Sequence, residues 1–453
     1  MSTRKNPLVA IWGSTGTGKS ELAVQLAARF NGEIINADAM QMYKGLPIIT
    51  NKIPLDEQQS VPHHLLGNIG LDEETWVVGV FKKEASRIIE EIRSRGCLPI
   101  IVGGTHYYTN ALLFKNVILG PDDESAEPAP APADESSTKY PILNESTEAL
   151  WNKLKEVDPV MADRWHPKDR RKIRRSLEIF LTTGRRASDI YEEQKMRKTR
   201  QANEAEDAAQ ESEHDSLIFW VHTDDQVLKT RLDRRVDKML ECGLMDEIME
   251  MDNYMKTALA AGKTIDFMQG IWQSIGFKEF QPYLEALHQG IDGPQVETLK
   301  LECLEKMKTA TRRYARYQTR WIPKKMMPLL EEQGKLDRLY VLDSTDVTQY
   351  NECVTVQAVS VTEKFLQSED MPAPSSISEA AQNVLQAAQA SYSSQATPSR
   401  KVCDICQTTT LTEEAWIKHI RGKSHRRNVR HAKYTALVPV HSGMTTVKPE
   451  NST

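Results

Sequence analysis

The sequence GSTGTGKS, residues Gly13 to Ser20, restricts the fold of this chain more than any other stretch. It fits the phosphate-loop pattern G-x-x-x-x-G-K-[ST], in which backbone N–H groups, a lysine and a hydroxyl converge on phosphate oxygens and Mg²⁺. The apolar run LVAIW precedes the loop, and Leu22, Leu26 and Phe30 follow it at helical spacing. A glycine-rich turn without a ligand would leave the lysine and the serine unexplained. We therefore predict a buried strand, a phosphate-binding loop and a helix.

Further apolar runs alternate with helical patterns along the chain. GEIINADAMQMY indicates a strand that ends near Asp38, and CLPIIVGGTHYY a strand that turns into a helix at Gly103 and Gly104. LIFWVHTD indicates a strand over 217–224, and LYVLDST a last strand that ends near Thr345. This alternation is typical of a parallel sheet covered by helices on both faces. The predicted fold class is therefore α/β.

The predicted organisation is one α/β core with a helical insertion, which is more economical for 453 residues than three domains in sequence. Acidic, proline-rich flanks predict disorder beside the insertion, and a stretch rich in Ser, Ala and Gln predicts a linker. The predicted segments are 1–120 for the first part of the core, 121–216 for the helical insertion with disordered acidic flanks, 217–345 for the second part of the core, 346–398 for a partly disordered linker, 399–435 for a small C-terminal unit and 436–453 for a disordered tail.

The net charge of −5 hides three basic zones. Residues 163–200 contain 13 Lys and Arg against six Asp and Glu, 305–325 contain eight against one, and 400–433 contain nine against three. The stretch 201–216, by contrast, contains six acids and no Lys or Arg. Separate basic zones in a mildly acidic protein indicate a polyanionic partner. Solvated helix faces are the alternative for any single zone.

The sequence has no feature that indicates a membrane protein or a secreted one. No apolar run approaches the roughly 20 residues that cross a bilayer, and no signal-peptide pattern precedes the first strand. Of six cysteines, only Cys403 and Cys406 are closely spaced, so a disulfide framework is not expected. We expect a cytoplasmic monomer that does not bind membranes, with mitochondrial and nuclear pools left open.

The C-terminal sequence CDICQTTTLTEEAWIKHIRGKSHRRNVRH has the spacing of a zinc finger. It places Cys403, Cys406, His419 and His425 as C-x2-C-x12-H-x5-H, which is a tetrahedral Zn²⁺ spacing with two thiolates and two imidazoles. Four protein ligands close the site, so the predicted role of Zn²⁺ is structural. The basic residues around the second histidine predict contact with RNA phosphates, and contact with protein is left open.

Two polar residues follow the ends of neighbouring strands near the phosphate loop. Phosphate-loop NTPases need an acid at a strand end to hold the metal, but the strand LPIIVGG ends in glycines and is followed by Thr105. The acid that does follow a strand is Asp38, within NADAMQMYKG. A lone Asp in this place is often a cap or turn residue, because its side chain bonds local N–H groups well. Phosphate binding alone therefore does not predict ATP hydrolysis.

Seven stretches in this order resemble the tRNA dimethylallyltransferases, a family whose fold is similar to that of P-loop kinases. They are GSTGTGKS, INADAMQMYKGL, VGGTHYY, DRRKIRRSLEIFLTTG, RLDRRVDKMLECGL, QSIGFKE and TRRYARYQTRWI, and they run over most of the chain. The C-terminal zinc finger further resembles the eukaryotic members. The acidic stretches after Gly120 and after Arg200 depart from the family pattern, and the resemblance implies nothing about them.

The resemblance implies transfer of a dimethylallyl group from dimethylallyl diphosphate to N6 of the adenosine 3′ to the tRNA anticodon, with release of diphosphate. It implies Asp38 as the base and Thr105 as a hydrogen-bonding group near the bridging oxygen or on the Asp38 side. It implies Arg235 as the arginine that holds diphosphate; Arg231, one turn earlier, is the alternative. Ser20 would bind a catalytic Mg²⁺. The diphosphate-binding residues that it implies are Gly13, Ser14, Thr15, Gly16, Thr17, Gly18, Lys19 and Ser20.

The resemblance also implies a tRNA surface, and the target adenine must leave the stacked loop to reach the donor. Gln41 could read that base, whereas Met42 fits the core better. Tyr314, Tyr317 and Trp321 could stack on bases or pack in the core. The implied tRNA-binding residues are Asp38, Ala39, Met40, Gln41, Arg171, Lys172, Ile173, Arg174, Arg175, Arg312, Arg313 and Arg316.

Two other functions remain open from the residues alone. One is an ATP-using kinase or NTPase with the same loop, which would act on RNA or on a small molecule. The other is a non-catalytic RNA-binding module built from the finger and the basic helices, which leaves Lys19, Ser20 and Asp38 without a role.

Overall fold

A computed structural model describes residues 5–73, 75–114, 140–193, 214–263, 265, 267, 269–393, 398–406 and 408–437. The chain divides into two compact units. Unit one comprises Met1–Ala129 and Arg200–Ser394, and unit two comprises Pro130–Thr199 and Gln395–Thr453. The acidic flanks after Gly120 and after Arg200 and the tail from 438 lie outside the described residues, so the disorder predicted for them stays a prediction.

The described part of unit one contains a parallel sheet of six strands in the order β3-β2-β4-β1-β5-β6. The strand β1 lies between β4 and β5, with Ile11 opposite both Val102 and Phe219. This confirms the predicted α/β class with a parallel sheet. The strands are β1 (Pro7–Trp12), β2 (Gly32–Asn36), β3 (His63–His64), β4 (Leu98–Val102), β5 (Asp215–His222) and β6 (Leu339–Asp343).

Helices cover both faces of the sheet because alternate residues of β1 point to opposite cores. Val9 and Ile11 belong to one core, with α1 and α12, whereas Leu8, Ala10 and Trp12 belong to the other. The helices of unit one are α1 (Lys19–Phe30), α2 (Val78–Ser94), α3 (His106–Leu113), α7 (Asp225–Glu241), α8 (Leu244–Ala260), α9 (Gln281–His288), α10 (Pro294–Trp321), α11 (Met327–Glu332), α12 (Gln357–Gln367) and α13 (Glu379–Ser393).

The segment 346–398 differs from the predicted linker, because most of it folds onto the sheet. In α12 the buried residues Ala358, Val361 and Phe365 recur at helical spacing, and in α13 Ala381 and Leu385 do the same. The abundance of Ser, Ala and Gln concealed this period, since small and polar residues fill the exposed positions. The core of unit one therefore continues to the end of α13.

The helix α10 passes directly into a π-helix at Ile322–Met326. Pro323 supplies the reason, because proline lacks the N–H that would bond to a carbonyl four residues earlier. A π-turn lets the next N–H take that carbonyl, so the chain continues as a helix. The side chains of Trp321 and Ile322 are buried on either side of this change.

Unit two contains a small helical bundle with its own core, formed by Leu150, Leu154, Trp165, Ile173 and Leu177 among others. Side chains cap each helix start: Ser146 accepts from the N–H of Ala149, Asp158 from Met161 and Asp169 from Lys172. Gly184 ends the third helix in the left-handed conformation, as its position predicts. The helices are α4 (Thr147–Val157), α5 (Pro159–Arg164) and α6 (Arg170–Thr183).

The C-terminal unit forms two antiparallel strands and two helices and belongs to the same unit as the helical bundle. His166 Nε2 lies 3.1 Å from the Thr409 carbonyl oxygen, and Arg400 pairs with Asp163 at 3.4 Å. The predicted segments 121–216 and 399–435 thus belong together in space. The elements are β7 (Pro398–Cys403), β8 (Thr408–Thr412), α14 (Glu413–Arg421) and α15 (Lys423–Leu437).

Among the described helices, none combines the length and the apolar character that a membrane crossing requires.

We predict that Glu33 stabilises the amino-terminal edge of the sheet. Arg95 donates to both carboxylate oxygens, at 2.9 and 2.7 Å, and these bonds lower the pKa of Glu33 to about 2. Replacement by Gln (Glu33→Gln) should lower the free energy of unfolding at pH 7 by about 1–3 kcal/mol. Because the folded pKa is depressed, this difference should shrink as the pH falls below the ordinary value of 4.5.

Urea denaturation at pH 7 and at pH 4 measures this difference. The control is Glu90→Gln, which breaks an exposed pair with Arg93 and should cost less than about 1 kcal/mol. Equal costs for both variants at pH 7 would contradict the role of Glu33.

Candidate active site

The phosphate loop lies at the carboxyl end of β1, where ligands bind in open α/β sheets. Gly18 begins α1 in the left-handed conformation, with φ 91°, which costs a glycine nothing. A Cβ at Gly18 would lie 2.7 Å from the ring of Tyr350, whose hydroxyl donates to the Gly18 carbonyl at 2.8 Å. Tyr350, from the C-terminal part of unit one, therefore stabilises the backbone of the loop at Gly18.

Lys19 lies buried inside the loop. Its Nζ donates to the carbonyl oxygen of Ser14 at 2.5 Å. Burial lowers the pKa of Lys19 to about 8, the charge of Asp38 opposes this shift, and the charge of Arg235 adds to it. Ser20 follows in the first turn of α1 and is exposed, so its hydroxyl is open to a ligand.

Asp38 follows β2, which β4 separates from β1 in the sheet. Its Oδ1 accepts from the backbone N–H of Met40 at 3.1 Å, so part of the carboxylate does serve as a turn cap. Burial raises the pKa of Asp38, while the hydrogen bond from Met40 and the charges of Lys19 and Arg235 oppose the rise. Asp38 therefore caps the turn and also belongs to the charged centre at the phosphate loop.

Thr105 lies on the Asp38 side of the centre, at the carboxyl end of β4. Its Oγ1 accepts from the N–H of Ala39 at 3.1 Å, and its own N–H donates to the Ala37 carbonyl at 3.3 Å. The hydroxyl therefore fixes the turn that carries Asp38.

The structure separates the two candidate arginines of α7. Arg235 is partly buried, its Nη1 donates to Thr15 Oγ1 at 2.8 Å, and burial lowers its pKa to about 10. Arg231 donates to the carbonyl oxygen of Gly16 in the loop at 3.3 Å and to those of Ser344 and Thr345, at 2.9 and 3.1 Å. Only Arg235 shares the charged centre with Asp38, which supports it as the residue for diphosphate.

His106 is a member of this centre that the sequence analysis missed. Its side chain is buried, and neither ring nitrogen has a hydrogen-bond partner among the described residues. Burial, followed by the charge of Lys19, lowers its pKa to about 3, and the nearby backbone of Gln318 only partly opposes this shift, so the ring is neutral at physiological pH. The signal was its place directly after Thr105 at a strand end.

Gln318 was also missed, because it comes from α10, some 300 residues away along the chain. Its Oε1 accepts from the N–H of Thr15 at 2.8 Å, and its Nε2 donates to the Gly104 carbonyl at 2.9 Å. It lies within the stretch TRRYARYQTRWI, whose arginines predicted RNA binding, and nothing local distinguishes this glutamine from a surface residue.

This geometry agrees with the comparisons. The model of the IPP transferase family matches residues 41–325. The chain belongs to this family. A tRNA dimethylallyltransferase of Schizosaccharomyces pombe is 40% identical over 95% of this chain and 96% of its own length, and that of Saccharomyces cerevisiae is 34% identical over 93% and 92%. The resemblance inferred from the sequence is confirmed.

A solved structure of a eukaryotic dimethylallyltransferase acting on tRNA matches this IPP transferase with a TM-score of 0.72 and 31% identity. The match covers 95% of this chain and 98% of the other. The match therefore covers much more of the chain than the sequence motifs do.

The predicted tRNA-binding residues of α6 do not all point to solvent. Ile173 is completely buried in the core of unit two, so its side chain is not at the surface, and its contact with tRNA stays a prediction. Arg171 is exposed, Lys172 lies 3.7 Å from Asp169, and Arg175 pairs with Glu178 at 3.0 Å. Arg174 is partly exposed. A basic helical stripe thus contains one core position, as helical periodicity requires.

The basic residues of α10 divide in the same way. Arg312 pairs with Asp233 of α7, which holds its guanidinium within the protein. Arg313 and Arg316 are exposed. Trp321 is buried and packs near Tyr317, with 5.7 Å between ring centres, so it belongs to the core.

The turn after Asp38 is partly exposed at Ala39, Met40 and Gln41, whereas Met42 is buried as expected. The Gln41 amide nitrogen donates to the Asn51 carbonyl at 2.9 Å. The amide oxygen is the acceptor group that Gln41 can offer to a ligand.

Cys403, Cys406, His419 and His425 form a cluster whose ligand atoms all lie within 4.8 Å of one another. The two sulfurs lie 3.5 and 3.4 Å from His425 Nδ1, and His419 Nε2 is buried without a hydrogen-bond partner in the described part of the chain. The amide of Asn428 donates to Cys406 Sγ at 3.4 Å. Two thiolates and two imidazoles at these separations fit a tetrahedral metal ion.

We predict that replacement of His106 by leucine stabilises the protein. A buried imidazole without partners costs about 1–3 kcal/mol, and a leucine of similar size avoids this cost. Denaturation should therefore show a free energy of unfolding that is higher by about 1 kcal/mol for His106→Leu. The matched variant is Thr362→Val, which removes a buried, unpartnered hydroxyl in α12. A large loss of stability for His106→Leu would show that its ring nitrogens have partners.

Proposed function

We propose that this IPP transferase is a tRNA dimethylallyltransferase, which moves a dimethylallyl group from dimethylallyl diphosphate to N6 of the adenosine 3′ to the anticodon. The observation that carries the proposal is the charged centre at the phosphate loop: Lys19 lies within the loop, Arg235 donates to Thr15 of the loop at 2.8 Å, and the charges of both act on the carboxylate of Asp38. A carboxylate that faces two phosphate-binding cations can accept a proton from one substrate while the cations hold the other.

The donor side consists of the phosphate loop with Lys19 and Arg235. The loop N–H groups and the two cations would bind the diphosphate and stabilise the charge that grows as it leaves. The Ser20 hydroxyl is exposed at the loop and suits Mg²⁺, which takes few protein ligands and shares phosphate oxygens. When bound, Mg²⁺ would add positive charge toward the leaving diphosphate.

The acceptor side consists of Asp38 and Thr105. The bond from N6 of adenine to C1 of the donor forms while the bond from C1 to the diphosphate oxygen breaks, and the electron pair leaves with diphosphate. The N6 proton passes to Asp38. Burial raises the pKa of this carboxyl, which makes it a stronger base when ionised. Thr105 would keep the Asp38 turn in place during the transfer.

The tRNA would be held by exposed arginines, with Arg313 and Arg316 on α10 and Arg171 on α6 as the leading residues. Such contacts to phosphates position the RNA, and pocket residues then specify the base. Gln41 is the proposed reader of the extruded adenine.

Labelled dimethylallyl diphosphate, Mg²⁺ and unmodified tRNA test this function directly. Label should enter the tRNA only in the presence of the enzyme, and ATP should not be consumed. Consumption of ATP without transfer of label would favour a kinase or NTPase instead.

Replacement of Asp38 by Asn should reduce kcat by about 10²–10⁴-fold and leave tRNA affinity unchanged, because the amide retains the shape but cannot accept the proton. For the wild type, kcat/KM should rise with pH as Asp38 ionises, through a midpoint above its ordinary value of 3.8. Activity assays from pH 4 to 8 and filter binding of tRNA measure these quantities. An Asp38→Asn variant with the same acid limb would show that another group titrates.

We propose that the cysteine and histidine cluster binds one structural Zn²⁺. Replacement of Cys403 by Ser should remove about one Zn²⁺ per chain and weaken tRNA binding, since the finger folds around its ligands. Elemental analysis and tRNA titration measure this effect. The control is Cys242→Ser at an exposed cysteine outside the cluster. Unchanged metal content in the Cys403 variant would exclude this site.

A further inference from the structure

The side chain of Gln318 bridges the two sides of the proposed centre. Its Oε1 accepts from the N–H of Thr15 in the phosphate loop at 2.8 Å, and its Nε2 donates to the carbonyl of Gly104 at 2.9 Å. Thr15 belongs to the donor side, and Gly104 directly precedes Thr105 on the acceptor side. Gln318 is only 2% exposed, so a single buried amide connects both sides.

The amide closely approaches the turn that faces Asp38. A Cβ on Gly104 would lie 2.3 Å from Gln318 Nε2 and 3.2 Å from Asp38 Oδ2. A glycine at position 104 therefore leaves room for the Gln318 amide, and the proposed base Asp38 lies next to the same position. A shift of the amide would therefore move the backbone at Gly104 and, with it, Thr105.

Thr15 is held from a second direction as well. Arg235 donates to its side-chain hydroxyl at 2.8 Å, while Gln318 takes its backbone N–H. The helices that supply these residues, α7 and α10, are joined by ion pairs, among them Lys308 with Asp237 at 2.7 Å. The loop is thus fixed by a rigid pair of helices.

The exposed arginines of α10 lie on another side of the helix. Arg313 and Arg316 are five and two positions before Gln318, which places both roughly opposite to it at about 3.6 residues per turn. The amide can therefore be altered without changing the surface that the arginines present.

We propose that Gln318 is a positioning residue for dimethylallyl transfer. Its amide sets the distance between the phosphate loop and the turn that carries Asp38, and it does not contact the reacting atoms. The inference rests on the proposed function. The position requires one acceptor and one donor on the same side chain, which an amide supplies. A carboxylate can only accept, and a thioether offers neither at useful strength.

Kinetics of Gln318→Met and Gln318→Glu test the role. The Met variant preserves the size but breaks both bonds, so kcat should fall about 10–100-fold while KM for tRNA stays within about twofold. The Glu variant retains the bond from Thr15, loses the bond to Gly104 and puts negative charge near the diphosphate. Its KM for dimethylallyl diphosphate should rise more than that of the Met variant.

Thr311→Val is the matched control. Thr311 is buried on the same helix, and its hydroxyl donates to the Met307 carbonyl of that helix at 2.9 Å. This variant should retain kcat and both KM values even if its melting temperature changes. A general disturbance of α10 would affect it as strongly as the Gln318 variants.

Two results would overturn the inference: a Met variant with wild-type kcat, or a loss of activity that only follows the fraction of folded protein. If the Met variant does not fold, Gln318→Asn replaces it, because its shorter amide cannot span both partners; wild-type kcat in that variant overturns the inference equally. All variants are compared with a wild type that transfers label to tRNA. A wild type without transfer would instead refute the proposed function.

Discussion

The compensation of buried charges at the carboxyl edge of the sheet is the interaction on which the site depends. Lys19 is a buried cation and Arg235 a partly buried one, and burial lowers the pKa of both. The nearby carboxylate of Asp38 opposes each shift and offsets part of the cost of burying two positive charges. The centre retains an excess of positive charge, which a diphosphate would neutralise. The same three groups thus reduce the cost of burying charge in the free protein and, in the proposed mechanism, hold the diphosphate and accept the proton.

The topology of the sheet brings these groups together. Parallel strands place the loops that follow β1, β2 and β4 at one edge, and these loops carry Lys19, Asp38 and Thr105. The helix α7 adds Arg235 from a distant part of the chain. The strand order is therefore as important to the site as the residues themselves.

The sequence was sufficient for the groups that follow strands, because strand periodicity and glycine-rich turns are local signals. It was insufficient for Gln318, whose contacts with Thr15 and Gly104 join distant segments. His106 does follow a strand, but its burial cannot be read from the sequence. Single-residue composition also misled in two places. It hid the helical period of α12 and α13, and it counted Ile173 with its basic neighbours although that side chain is in the core.

The contact of Tyr350 with Gly18 has a consequence for how the protein is made. The two residues are 332 positions apart, yet the tyrosine hydroxyl fixes the backbone at the start of α1. During synthesis the phosphate loop leaves the ribosome 332 residues before Tyr350 does. A long-range contact forms only after both partners are available, so the Gly18 carbonyl cannot make this bond while those residues are translated. The backbone at the start of α1 therefore gains the tyrosine contact late in the synthesis of the chain.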